Sequence, residues 1–184
     1  MADPENLLRL RRKHGEGHPL DVDANDGARL IRAQSFRNAF MASLIVFIVF
    51  CIGWVALTSL TGRVFPWMTV VLGYGTGIAI RRAGRGVDWR FPLLAGIGTL
   101  VGSVGSNFVL AASTTAAEYG TGTLDILGAV TAMTWPVFFE EIWNIGDSFF
   151  AVFSGGLAAV LAHRKLSRSE YYALRLWREG KRDD

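Results

Sequence analysis

The chain has 184 residues, 19 Lys and Arg against 16 Asp and Glu for a formal charge of +3, and 51% apolar residues with a mean hydropathy of +0.29. Because the apolar residues fall in long uncharged blocks, these values exclude an ordinary soluble domain and a disordered chain. The single cysteine, Cys51, excludes an intrachain disulfide and reads as a small apolar packing group.

Residues 1–37 form a polar tail, expected to be partly disordered and cytoplasmic. No short apolar stretch with a small-residue cleavage pattern stands near the start, so no cleaved signal peptide is expected. The acidic stretch Asp21, Asp23, Asn25, Asp26 suggests an EF-hand loop, but its sixth position is Asp26 instead of glycine and its twelfth is Arg32 instead of glutamate. It is better read as a solvated segment in which Asn25 or Asp26 caps a helix that starts near Ala28 and runs through Arg37 into the first span. His14 and His18 lie in the same tail, without metal-ligand spacing.

A bilayer core about 30 Å thick needs roughly 20 helical residues. Four blocks meet that demand, at residues 39–62, 64–80, 91–113 and 142–163, and they define a membrane domain over residues 38–163. The first span is bulky all round, with Trp54 toward its outer end, and is expected at the periphery facing lipid. Arg63, Pro66 and Trp67 occupy the short turn to the second span. Small residues at helical spacing mark helix contacts in lipid. They occur as Gly73 and Gly77 in the second span, Gly98, Gly102 and Gly105 in the third, and Ala151, Gly155 and Ala158 in the fourth.

Ahead of the last span, residues 124–139 read as a helix lying in the outer interface, broken at Pro136, which removes an amide donor. The acids Glu140, Glu141 and Asp147 then interrupt the apolar sequence with no cation beside them. Glu140, Asn144 and Asp147 would share one face of a continuous helix, with Asn107 of the third span at the same depth. Such a cluster suits an ion or proton site. The simpler reading is a solvated outer rim in which Asp147 caps the last helix.

Residues 164–184 form a basic tail. Ser167 and Glu170 make a capping box that opens a short amphipathic helix, with Tyr171, Leu174 and Trp177 as apolar contacts among Arg164, Lys165, Arg168, Arg175 and Arg178. A helix of this kind lies on anionic lipid at the inner leaflet or docks to a partner. Between residues 91 and 163 no Lys or Arg occurs; apart from Arg63, every cation falls on one side of a chain that crosses four times. The positive-inside rule makes that side cytoplasmic and places both termini there. Topology thus accounts for the arginines without nucleic acid.

The stretch from Gly73 to Gly86, Gly-Tyr-Gly-Thr-Gly followed by Arg81, Arg82 and Arg85, together with the glycine-rich third span, resembles a pattern in small uncharacterised bacterial four-helix inner-membrane proteins. The resemblance implies the fold and location, and no activity. HExxH, GxSxG, Walker A and CxxC are all missing from the sequence, so neither an enzyme nor a cofactor is expected. The expectation is an all-α integral membrane protein acting as an accessory, scaffold or assembly subunit beside other membrane proteins or itself. The alternative is a small oligomeric channel or transporter for a cation or proton that uses the outer acids.

Overall fold

A computed structural model describes residues 24–130 and 134–180, and these are helical with short connections. The disorder expected for the start of the tail, the two tail histidines and the first acids of the EF-hand-like stretch lie outside the described residues. Among the described residues eight helices follow one another: α1 (Ala24–Arg32), α2 (Phe36–Thr61), α3 (Met68–Gly84), α4 (Arg90–Tyr119), α5 (Thr123–Ala129), α6 (Trp135–Ile142), α7 (Ile145–Ala162) and α8 (Arg168–Gly180). Two compact units result: residues 31–165 carry α2 to α7, and the flanking segments carry α8 and most of α1.

Among the described residues three helical segments are long and apolar enough to cross a membrane: Asn25–Thr61, which contains α2, then Arg90–Tyr119 and Ile145–Ala162. With 17 residues α3 is one shorter than α7 and ends on Arg81 and Arg82. At 1.5 Å per residue it is about 26 Å long, slightly less than the hydrocarbon thickness.

Local chemistry sets each boundary, and several differ from the expected ones. The helix foreseen as continuous from Ala28 into the first span is interrupted at Ala33 to Ser35. It also begins earlier, at Ala24, so Asp26 lies within its first turn instead of capping it. Ser35, in extended conformation, opens α2 by accepting from the Asn38 amide at 3.2 Å. The helix expected as the second span, α3, starts at Met68, one turn later than residue 64, because Phe65 to Trp67 still turn, with the Met68 amide on the Phe65 carbonyl at 3.0 Å. The third continues to Tyr119, where Gly120 takes a left-handed φ of 66° that glycine accepts without cost.

The interfacial helix expected over 124–139 is two short helices, α5 and α6. Pro136 stands in the first turn of α6 and begins that helix instead of breaking one, since a first-turn amide has no partner to lose.

Within the larger unit, α3 packs most extensively on α7, and α2 and α7 each pack on both α3 and α4. One apolar cluster joins Ala39, Ile80, Phe91, Ala95, Ala158 and Ala162. It therefore gathers the start of α2, the end of α3, the start of α4 and the end of α7 at one end of the bundle, so the four helices alternate in direction. The Ser35 amide donates to the Gly84 carbonyl at 3.0 Å and ties the same end together. A second cluster, Phe50, Trp54, Leu72 and Leu110, fills the bundle farther along. Outer surfaces stay apolar: Ile45, Ile48, Val49 and Ile52 of α2 and Phe149, Val152, Phe153 and Val160 of α7 are all exposed. Large exposed apolar faces of this kind call for a non-aqueous surrounding.

Although α2 is apolar all round, Trp54 does not face outward. It is buried against Phe50, ring centroids 5.3 Å apart. The reason is that α2 is covered on one side: Phe50, Cys51 and Trp54 are buried, Phe50 and Trp54 with Leu72 of α3 and Leu110 of α4, while Ile52 between them is exposed.

Candidate functional site

The acidic stretch before the last span divides at a helix boundary. Glu140 and Glu141 end α6 and are exposed, whereas Trp143 and Asn144 leave helical geometry and Ile145 starts α7. Glu140 therefore shares no helix face with Asn144 and Asp147. The latter two form a reciprocal cap: the Asp147 amide donates to Asn144 Oδ1 and the Asn144 amide to Asp147 Oδ2, both at 3.1 Å. This arrangement satisfies two otherwise orphaned donors, and it explains how a carboxylate that is only 5% exposed remains at a helix start. Asn107 is buried as well, but its Nδ2 donates to the Ser103 carbonyl of its own helix at 3.1 Å. Among the described residues no group of three His, Cys, Asp or Glu could hold a metal ion.

The small residues of α3 and α7 meet at backbone distance. A β-carbon on Gly73 would collide with the hydroxyl and carbonyl oxygens of Ser154, and one on Gly77 would stand 2.8 Å from the Ala158 carbonyl oxygen. Ala151 and Ala158 are buried in the same face. Gly155 faces α4, with Leu100 Cγ 3.1 Å and the Gly96 carbonyl 3.2 Å from its would-be β-carbon. Close approach permits one polar tie, in which the Ser154 hydroxyl donates to the Thr69 carbonyl of α3. The stripe on α4 behaves otherwise. Gly102 and Gly105 lie against Phe47 of α2, and Gly98 has nothing within 4 Å.

What Gly98 faces is a groove of about 620 Å³ between α2 and α4. Phe36, Phe40, Leu44 and Phe47 form one wall, Leu93, Ile97 and Val101 with the glycines form the other, and Leu72 and Thr76 of α3 form the floor. Sequence reading took the glycines as contact points only; the missed signal is the i, i+4 series of Phe36, Phe40, Leu44, which supplies a wall too bulky to close on them. Also unforeseen are the buried Trp54 Nε1, Thr58 Oγ1 and Thr99 Oγ1, none of which has a hydrogen-bond partner among the described residues. The buried Ser103 and Ser106 hydroxyls bond within their own helix, Ser103 to the Thr99 carbonyl at 2.8 Å and Ser106 to the Ser103 carbonyl at 3.0 Å.

Aromatic rings link α4 to α6. Phe108 stacks on Trp135 at 4.3 Å, Trp135 on Phe139 at 6.0 Å and Phe139 on Trp143 at 5.5 Å. The Trp143 indole N–H donates to Ser148 Oγ at 2.8 Å, which anchors the column to the first turn of α7.

In the smaller unit the foreseen capping box opens α8, with the Glu170 amide on Ser167 Oγ at 3.2 Å and the Ser167 amide on Glu170 Oε2 at 2.8 Å. The expected contact face is partly used up internally. Leu174 is buried with Ala173, and Gly27 of α1 sits against the Ala173 carbonyl and Trp177 Cβ, where its missing side chain permits helix contact. Tyr171, Tyr172 and Leu176 remain exposed, as do Lys165, Arg168, Arg175 and Arg178. The Arg175 guanidinium is pushed up from its ordinary value by the hydrogen bond and charge of Glu179 at 2.7 Å.

Comparison with protein-family models, with curated proteins and with solved structures finds no match for this chain.

Proposed function

We propose that the protein crosses a bacterial inner membrane four times, with both termini in the cytoplasm, and serves as a noncatalytic accessory or scaffold subunit for other membrane proteins or for further copies of itself. The fourth crossing is α3, whose 17 residues run antiparallel to both α2 and α4. Arg37, Arg81, Arg82, Arg85 and Arg90 all stand at the bundle end where α2 starts, α3 ends and α4 starts. That gathering is what the positive-inside rule requires of a cytoplasmic face. The resemblance to small four-helix inner-membrane proteins is consistent with this placement.

The observation that carries the subunit reading is the use made of polar groups inside the bundle. Its buried carboxylate, Asp147, is spent on a helix cap, and Ser103, Ser106 and Asn107 bond to carbonyls of their own helix. Ion and proton pathways use intramembrane charges that face a cavity. The channel reading finds less support because Glu140 and Asp147 stand on different helices.

Purification in mild detergent, with identification of what co-migrates, tests the proposal. A defined partner complex is expected. A pure homo-oligomer that conducts cations in liposomes, and loses conductance in Asp147→Ala, would overturn it.

A further inference from the structure

We infer that the groove between α2 and α4 holds one acyl chain of an anionic phospholipid, with its phosphate at the arginines of the same bundle end. The inference rests on the membrane placement proposed above. Three features lead to it.

The first is depth. From Leu93 to Gly105 the α4 wall covers twelve residue steps, about 18 Å at 1.5 Å each. One leaflet contributes about 15 Å of hydrocarbon, half of the 30 Å core. Beyond Gly105 the slot is closed, because Phe50, Trp54, Leu72 and Leu110 pack together there. A partner helix that spans the bilayer would need a face running its whole length. A lipid chain needs one leaflet.

The second is lining. The walls are hydrocarbon, with Ser43 and Thr76 as the only hydroxyl-bearing residues. Nothing in the slot would bind a polar solute.

The third is charge. Phe36 at the start of α2 and Phe91 at the start of α4 meet edge to face at 6.0 Å, which fixes the mouth of the groove. Arg37 follows the first ring and Arg90 precedes the second, so each wall begins with a guanidinium-bearing residue. Both are exposed, as are Arg81, Arg82 and Arg85, and none of the five forms an ion pair among the described residues. Arginine binds phosphate oxygens through a planar fork of donors. The same cluster would gain little from a zwitterionic headgroup, whose own ammonium cancels the field.

The test is native mass spectrometry of the full chain released from mild detergent after incubation with phosphatidylglycerol or phosphatidylcholine. Wild type should retain one phosphatidylglycerol and little phosphatidylcholine. Gly98→Leu puts a side chain into the open slot where a β-carbon meets nothing, and should abolish retention while the thermal unfolding of the protein stays unchanged. Arg37→Gln and Arg90→Gln should each weaken retention about fivefold, as expected for one cation at a membrane surface. Equal retention of the two lipids, undiminished retention in folded Gly98→Leu, or a dimer that Gly98→Leu dissociates would overturn the inference. Thiol-labelling of cysteines placed at each terminus in intact cells addresses the topology separately. Termini on opposite faces would refute the four-span placement whatever the lipid result.

Discussion

At the α3–α7 face, glycine lies against backbone: Gly73 against Ser154, Gly77 against Ala158. At the α2–α4 face, Gly98 opens onto a groove and Gly102 and Gly105 rest on the ring of Phe47. Glycine at helical spacing occurs on both. The difference comes from the opposing helix, since α7 presents Ser154 and Ala158 whereas α2 presents Phe40, Leu44 and Phe47. Small residues permit approach; only a partner that is small at the same height completes it.

Five substitutions would break or sharpen this contrast, each read as a shift in the free energy of unfolding in mixed detergent–SDS micelles. Gly73→Leu carries the largest expected effect, a loss of about 2–3 kcal/mol, because the collision is with backbone that cannot rotate away. Ser154→Ala removes the polar tie to the Thr69 carbonyl and should cost about 1 kcal/mol. Ser103→Ala, whose hydroxyl bonds within its own helix, should cost visibly less. Asn144→Ala strips the reciprocal cap that fixes where α7 begins, and with it the register of α7 on α3; a loss of roughly 0.5–1 kcal/mol is expected. Gly98→Ala should change stability by less than about 0.5 kcal/mol, since its β-carbon enters open space. Were Gly98→Ala as damaging as Gly73→Leu, the two faces would have to be judged equivalent and the groove closed.

Apolar blocks and their capping residues made the helices legible because helix length and end chemistry are local properties. The Ser167–Glu170 box and the cap at Asp147 are instances, each complete within four residues. The stripe on α3 and α7 was legible for the same reason. Three features were not. The start of α2 depends on Ser35, which competes with a run of good helix formers and prevails because its amide is also held by the Gly84 carbonyl, far away in sequence. Glu140 was grouped with Asp147 on the assumption of one helix, whereas α6 ends at Ile142 and α7 begins at Ile145, between the two acids. The burial of Trp54 is the third, because which side of α2 is covered depends on α3 and α4.

The candidate site followed the same division. The cationic end could be read from the order of charges along the chain. The apolar slot beside it required two helices to be laid together, and no periodicity within either one encodes the space between them.

The ladder of rings from Phe108 through Trp135 and Phe139 to Trp143 has an optical consequence. Parallel indole and phenyl chromophores held 4.3 to 6.0 Å apart in a chiral array couple their transitions. The folded protein should therefore carry a strong near-ultraviolet circular dichroism signal that originates in one small region. Loss of that signal, with the far-ultraviolet helical spectrum retained, would report α6 lifting away from α4 while the rest of the bundle stays assembled, giving the molecule a built-in gauge of that one contact.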